Sequence, residues 1–165
     1  MQRILQLIYL MLPVYAANMV PPFVRYWPGR VRPISERWLG SHKTWLGYAF
    51  AIVAATAVTL LQWRLDWSGG LADYAQWAGL GLACGLGAML GDSAKSLVKR
   101  RLGIAPGQRW VPADQLDFVV GGLVALAQWA ELSRLDVVLV LGLSFIGTVV
   151  VNRLAYVVGV KDVPW

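Results

Sequence analysis

Long apolar blocks separated by short polar connections dominate the sequence. A membrane-spanning helix needs about 20 predominantly apolar residues, and tilted or partly buried helices tolerate fewer. Five segments meet this requirement, and the fourth is the weakest, because Gly121, Gly122 and Gln128 interrupt its apolar run. The pattern predicts an all-α, polytopic membrane protein with about five transmembrane helices in a single integral membrane domain over residues 1–165. The predicted helices span residues 4–24, 45–62, 71–101, 115–132 and 137–158.

Two prolines follow the first apolar run. The small residues Ala16 and Ala17 before Asn18 resemble a signal-peptide cleavage site. The chain stays apolar after Asn18, through Pro21 and Pro22, so we expect an uncleaved membrane helix that breaks at the prolines. Asn18 then either binds a headgroup or satisfies backbone groups that the break leaves free.

The composition supports a bilayer environment. Hydrophobic residues make up 58% of the chain and charged residues 15%, which is more apolar than an average soluble domain. Cys84 is the only cysteine, so a disulfide framework and a cysteine-based metal site are both excluded. The third segment contains closely spaced glycines, which indicate close helix packing: Gly79, Gly81, Gly85 and Gly87.

The formal net charge of +6 is concentrated in two connections. A basic surface can face nucleic acid or anionic lipid. Here the basic residues lie between membrane segments, so we expect the bilayer and no nucleic acid as a partner. Loops rich in Lys and Arg stay in the cytoplasm, which predicts two cytoplasmic loops, an external N-terminus and an internal C-terminus. These residues are Arg25, Arg30, Arg32, Arg37 and Lys43 in the first loop, and Lys95, Lys99, Arg100, Arg101 and Arg109 in the second.

The third predicted helix continues into the cytoplasm, because residues 92–101 contain neither Pro nor Gly. At about 100° per residue, Arg101 points away from the polar stripe of this helix. The stripe joins one carboxylate, one hydroxyl and two ammonium groups, from Asp92, Lys95, Ser96 and Lys99.

Two further carboxylates, Asp114 and Asp117, are three residues apart at the start of the fourth helix. Two carboxylates this close repel each other unless a divalent cation binds between them. Their oxygen atoms are suitable ligands for Mg²⁺, and we expect Asp92 to be a third ligand. Each residue alone also fits a simpler interpretation, as a topology determinant or a helix cap. Together, three carboxylates and two lysines at one interface are typical of a site for a triphosphate and a metal.

The connection before the second helix contains another candidate phosphate site. Lys43, Thr44 and the backbone amides could hold a phosphate at the helix N-terminus. Ser41 or Thr44 acting as a simple helix cap is an equal alternative. We expect His42 to be a loop residue and not a metal ligand.

Two motifs resemble a known family. Residues 96–101 followed by Asp114 to Asp117 are similar to the signature of membrane CTP:phosphatidate cytidylyltransferases, Ser-x-x-Lys-Arg and Asp-Arg-x-Asp. The Lys-Asp pair and the His-Gly-Gly segment of those enzymes are absent between the motifs. The chain resembles the CDP-archaeol synthase family more closely, over most of its length. This resemblance rests on Ala17–Asn18 with the following prolines, residues 40–47 and 91–101, Gly107, and residues 114–118 with Gly121.

The resemblance implies a Mg²⁺-dependent transfer of CMP from CTP to 2,3-bis-(O-geranylgeranyl)glycerol 1-phosphate, releasing pyrophosphate. Phosphatidate, an ester lipid, is the alternative acceptor. With the residue pattern, it assigns catalysis to Asp92, Lys99, Asp114 and Asp117, and the metal to Asp92, Asp114 and Asp117. The expected contacts to the nucleotide and lipid phosphate come from Lys43, Thr44, Lys95, Ser96, Arg100, Gln115 and Asn18.

Two other classes of protein share some of these features. A small transporter or channel would use polar residues inside the membrane, such as Asn152 and Arg153. A structural membrane subunit would leave the basic loops as topology signals alone. The enzyme interpretation accounts for more of the charged residues, with CTP, a lipid phosphate and the bilayer as partners. A homodimer is compatible with the sequence.

Overall fold

The computed structural model describes residues 1–105 and 108–160, and these residues form a helical bundle. The predicted all-α class is confirmed within the described residues, where the β-type pairing is an isolated bridge between Pro33 and Thr44. The α-helices are α1 (Gln2–Met19), α2 (Trp45–Leu65), α3 (Trp77–Arg101), α4 (Ala113–Leu126) and α5 (Arg134–Val157).

Within the described residues, three segments are long and apolar enough to cross a membrane: Gln2–Tyr26, Trp45–Leu65 and Arg134–Val157. The first consists of α1 and a 3₁₀-helix at Pro21–Tyr26, which follows the end of α1 at Met19. Helix α4 has 14 residues and is about 21 Å long, shorter than the hydrocarbon core of about 30 Å. It reaches the opposite end of the bundle together with residues 127–133, the connection to α5, where the Ser133 amide contacts Asp136.

Several predicted helix boundaries differ from the structure, including the end of α1 at Met19 instead of residue 24 and the end of α2 at Leu65 instead of residue 62. Helix α3 begins at Trp77 and not at residue 71, because Asp73 caps a 3₁₀ turn at Tyr74–Gln76 through the Ala75 amide at 3.0 Å. Helix α4 ends at Leu126 and not at residue 132, and the Trp129 ring beyond it packs over Gly79 of α3.

Another difference is at the start of α5, which begins at Arg134 and not at residue 137. Ser133 and Asp136 form a capping box there. The Asp136 amide donates to Ser133 Oγ at 3.2 Å, and the Ser133 amide donates to Asp136 Oδ2 at 2.9 Å.

Glycines on α3 bring this helix close to both of its neighbours, as the sequence predicts. A Cβ atom on Gly85 would lie 2.7 Å from Ile52 Cα of α2. A Cβ atom on Gly91 would lie 3.1 Å from Gly121 Cα of α4. Because side chains cannot separate the backbones at these points, α3 is held between α2 and α4, with its charged turn beside the start of α4. The core includes the buried face of α1, namely Leu7, Leu10, Met11, Val14 and Ala17.

The two basic connections lie at the same end of the bundle. Lys43, just before α2, pairs with Asp92 of α3, and Lys99 near the end of α3 contacts the Gln108 carbonyl. At the opposite end, Arg3 of α1 forms a bidentate ion pair with Asp136 of α5. Arg3 Nε lies 2.8 Å from Asp136 Oδ1, and Arg3 Nη2 lies 2.7 Å from Asp136 Oδ2. The connections at that end, residues 66–76 and 127–133, contain no Lys or Arg.

Candidate active site

Three aspartates from two helices surround the side chain of Lys95. The Lys95 Nζ atom lies 2.7 Å from Asp117 Oδ2, 3.2 Å from Asp114 Oδ1 and 3.4 Å from Asp92 Oδ1. Asp92 and Lys95 are one turn apart on α3, and Asp114 and Asp117 are one turn apart on α4. Since glycines let α3 and α4 approach closely, the two pairs form one cluster.

Two more lysines hold the outer carboxylates. Lys43 pairs with Asp92 from the connection before α2. Lys99 Nζ lies 3.0 and 3.2 Å from the two oxygens of Asp114 and 2.5 Å from the Gln108 carbonyl oxygen. Lys99 is 6% exposed, so its ammonium group is buried against Asp114 and the Gln108 carbonyl. The three lysines balance the formal charge of the three aspartates.

Asp114 is held in its ionised form although it is partly buried. It lies in the first turn of α4, outside the three apolar segments. Burial opposes ionisation, but the Trp110 amide at 2.5 Å, Lys99 and Lys95 together hold the pKa of Asp114 below its ordinary value. Asp114 therefore remains a carboxylate with hydrogen bonds from three sides.

The predicted polar stripe on α3 is present. Lys95 and Lys99 face the carboxylates of α4, while Arg101 is exposed elsewhere on the helix. Ser96 lies on the same stripe, but its hydroxyl donates to the Asp92 carbonyl at 2.9 Å, a bond within its own helix.

The other predicted phosphate-binding residues have different surroundings. Thr44 is the N-cap of α2, with its hydroxyl accepting from the Gly47 amide at 3.0 Å, so the capping alternative is present. Arg100 donates from Nη1 to the Ile104 carbonyl at 2.6 Å, at the end of α3. Asn18 lies in the last turn of α1, and His42 is exposed.

Gln115 follows Asp114 on α4 and is 2% exposed, with its Oε1 atom buried and without a hydrogen-bond partner among the described residues. It is thus a buried acceptor in the first turn of the helix that carries the two aspartates. The predicted motif residue Gly107 lies outside the described residues.

The donor set is suitable for a hard cation. Oxygens of Asp92, Asp114 and Asp117 all lie within 3.4 Å of one point, the Lys95 Nζ atom. Carboxylate oxygens are the ligands that Mg²⁺ prefers. Among the described residues, no three acidic, His or Cys side chains are grouped as they would be around a metal ion. The three aspartates instead share an ammonium group.

Sequence reasoning did not identify Tyr48 and Ser93 beside the cluster. The Tyr48 hydroxyl donates to the Met89 carbonyl at 3.0 Å and shares a hydrogen bond with the Ser93 hydroxyl. Ser93 follows Asp92 directly, so this pair ties α2 to the charged turn of α3. In the sequence, the feature that could have indicated this contact is the single tyrosine of α2, which lies near the small buried residues Gly47 and Ala51.

Comparison with known proteins gives consistent results. The family model described as CarS-like, CDP-archaeol synthase, matches residues 1–165. A CDP-archaeol synthase of Archaeoglobus fulgidus is 30% identical and covers 98% of both chains. One from Thermofilum pendens is 33% identical over 93% of this chain and 78% of its own length, and one from Sulfurisphaera tokodaii is 32% identical over 93% and 92%.

The fold has a counterpart among solved structures. The structure of an intramembrane enzyme for archaeal membrane lipid biosynthesis is 30% identical, with a TM-score of 0.73, over 93% of this chain and 94% of that one. With the three apolar segments, this likeness shows a multi-pass membrane protein. The comparisons confirm the resemblance that the motifs indicated and favour the enzyme over the transporter and the structural subunit. The chain belongs to the CarS-like CDP-archaeol synthase family.

Proposed function

We propose that this protein transfers CMP from CTP to the phosphate of a polyprenyl-ether glycerol lipid, 2,3-bis-(O-geranylgeranyl)glycerol 1-phosphate. The products are a CDP-archaeol-type lipid and pyrophosphate. The observation that carries the proposal is the cluster of three lysines and three aspartates at one end of the membrane bundle. The names of the relatives support an archaeal ether lipid as the acceptor.

The reaction requires positioned charges and no covalent catalysis. An oxygen of the lipid phosphate forms a bond to the α-phosphorus of CTP. The bond from that phosphorus to the oxygen bridging to the β-phosphorus breaks, and pyrophosphate leaves with the electron pair. Lys43, Lys95 and Lys99 bind the phosphate oxygens, which aligns two anions that otherwise repel and stabilises charge on the leaving group.

The charge balance of the cluster supports a divalent cation in the complex. The three lysines are already neutralised by three aspartates, so the cluster alone offers no net positive charge to a triphosphate. Asp92, Asp114 and Asp117 would hold Mg²⁺. When bound, Mg²⁺ supplies positive charge to the phosphate oxygens and to the leaving pyrophosphate.

The cluster faces the cytoplasm in this proposal. The end of the bundle with Lys43 and Lys99 also contains the basic connections, and such connections remain on the cytoplasmic side. The N-terminus is then external and the end of α5 is cytoplasmic. In this orientation a water-soluble nucleotide and a lipid phosphate meet at the membrane surface.

A product assay tests the function. Purified protein is incubated with CTP, Mg²⁺ and either geranylgeranylglycerol phosphate or phosphatidate, and CDP-lipid is measured. We expect product with the ether lipid, a loss in Asp117→Asn, and full activity in Asp73→Asn. Asp73 is a matched control because it is an exposed aspartate at the other end of the bundle.

Two results would contradict this account. Faster turnover of phosphatidate would assign the enzyme to ester lipids instead. Full activity of Asp117→Asn would remove the charged cluster from the mechanism.

A further inference from the structure

Lys95 has a central position that neither neighbouring lysine shares. It contacts carboxylates of Asp92, Asp114 and Asp117, whereas Lys43 pairs with Asp92 and Lys99 with Asp114. Its side chain is 16% exposed. One ammonium group therefore neutralises charge from both α3 and α4.

The carboxylates are more firmly held than the ammonium. The Asp117 side chain is 4% exposed, and its Oδ1 atom accepts from the Phe118 amide at 2.7 Å. Asp114 accepts from the Trp110 amide and from Lys99. Lys95 lies at the end of a flexible four-carbon chain, so it can leave the three oxygens while they stay in place.

A metal ion and the Lys95 ammonium compete for the same oxygens. The point within 3.4 Å of all three carboxylates is the position of Nζ itself. A metal ion and an ammonium group at the same position would repel each other strongly in a partly buried site. A metal ion without a nucleotide must displace the ammonium, which then has no new anionic partner.

We propose that Lys95 is an internal counter-cation that keeps a lone metal ion out of the site and moves onto the triphosphate when metal and nucleotide bind together. This inference rests on the proposed function, because it assumes that a metal and a triphosphate share the cluster. It makes Lys95 a positioning residue that couples two binding events. Metal affinity and nucleotide affinity then increase each other by the same factor.

Binding of Mn²⁺ alone tests the competition. Mn²⁺ is added to detergent-purified protein without CTP or lipid, and the free Mn²⁺ concentration is measured by electron paramagnetic resonance. Lys95→Met should bind Mn²⁺ about tenfold more tightly than wild type, within the usual range of coupling between sites. Lys95→Arg keeps the charge and should bind as weakly as wild type. Arg101→Met is the control, because it loses the same charge from an exposed position on the same helix.

Equal Mn²⁺ affinity of wild type and Lys95→Met would overturn the inference. So would tenfold tighter binding in Arg101→Met, since the effect would then come from net charge. Gel filtration and melting temperature check that Lys95→Met is folded. Lys95→Gln, which keeps a neutral hydrogen-bond donor near Asp117, is the second variant and carries the same expectation.

Wild-type protein gives an independent measurement. CTP should tighten Mn²⁺ binding about tenfold, after correction for Mn²⁺ that CTP binds in a protein-free sample. Tight Mn²⁺ binding without CTP, or no effect of CTP, would contradict the role of Lys95. The absence of a CDP-lipid product would contradict the proposed function instead, so the two failures are distinguishable.

Discussion

Substituting Gly91 with alanine should separate α3 from α4 at the candidate active site. A Cβ atom at this position would overlap the Asp117 carbonyl oxygen and lie 3.1 Å from Gly121 Cα. Non-bonded carbon atoms prefer about 3.5–4.0 Å, so α4 must move away by about 0.5–1 Å. The moving segment carries Asp117, whose carboxylate lies 2.7 Å from Lys95 Nζ.

Both stability and turnover should respond to this movement. Overpacking of a close contact costs about 1–3 kcal/mol of unfolding free energy. A misplacement of about 1 Å in a catalytic cluster lowers turnover by on the order of 100-fold. We therefore expect Gly91→Ala to remain folded in detergent with a lower melting temperature and to form CDP-lipid about 100-fold more slowly.

The assay compares CTP-dependent CDP-lipid formation and thermal unfolding with those of Gly147→Ala. Gly147 is a glycine inside α5, and beyond its own helix backbone a Cβ atom there would meet no heavy atom of the described residues within 4 Å. This control should be as active as wild type and up to about 1 kcal/mol more stable, because alanine favours helix. Wild-type turnover and melting temperature in Gly91→Ala would refute the reasoning that this close contact positions Asp117.

Three further predictions concern other parts of the molecule. Lys99→Ala should raise the barrier to turnover by about 2–4 kcal/mol, and Arg101→Ala by about 1 kcal/mol or less. Equal losses in CTP-dependent rates would contradict the different positions of the two side chains. Arg3→Ala removes the ion pair with Asp136 at the opposite end of the bundle, so it should lower the melting temperature in detergent but leave the turnover of folded protein unchanged. A loss of turnover would contradict the separation of this ion pair from the candidate active site. Single cysteines at Arg32 and Gln108 in inside-out vesicles should both react with an impermeant reagent, whereas labelling from opposite sides would contradict the topology.

The polar stripe of α3 could be predicted from the sequence because helix periodicity is local. Once residues 91–101 are taken as helix, Asp92, Lys95 and Lys99 share a face whatever surrounds them. The meeting of this face with Asp114 and Asp117 depends on packing between α3 and α4. The family resemblance indicated it, and the close contact at Gly91 explains it.

The contact of Lys95 with all three aspartates could not be predicted, because a metal ion and an ammonium group satisfy the same three carboxylates. The distances in the folded protein place the Lys95 ammonium group within 3.4 Å of all three. The early end of α4 has a long-range cause as well, since Trp129 packs over Gly79 of another helix. The late start of α3 depends on Asp73 as a local cap that competes with a helix-compatible apolar run.

In the proposed reaction, the charged cluster transfers CMP, which contains the α-phosphorus of CTP, to a lipid phosphate. The most direct test supplies CTP labelled with ³²P at either the α or the γ position to purified protein with Mg²⁺ and geranylgeranylglycerol phosphate. The account predicts that α-label enters the lipid fraction, that γ-label appears only in pyrophosphate, and that Asp117→Asn gives neither product. Incorporation of γ-label into lipid would show kinase chemistry, and no lipid labelling from α-labelled CTP would contradict cytidylyl transfer.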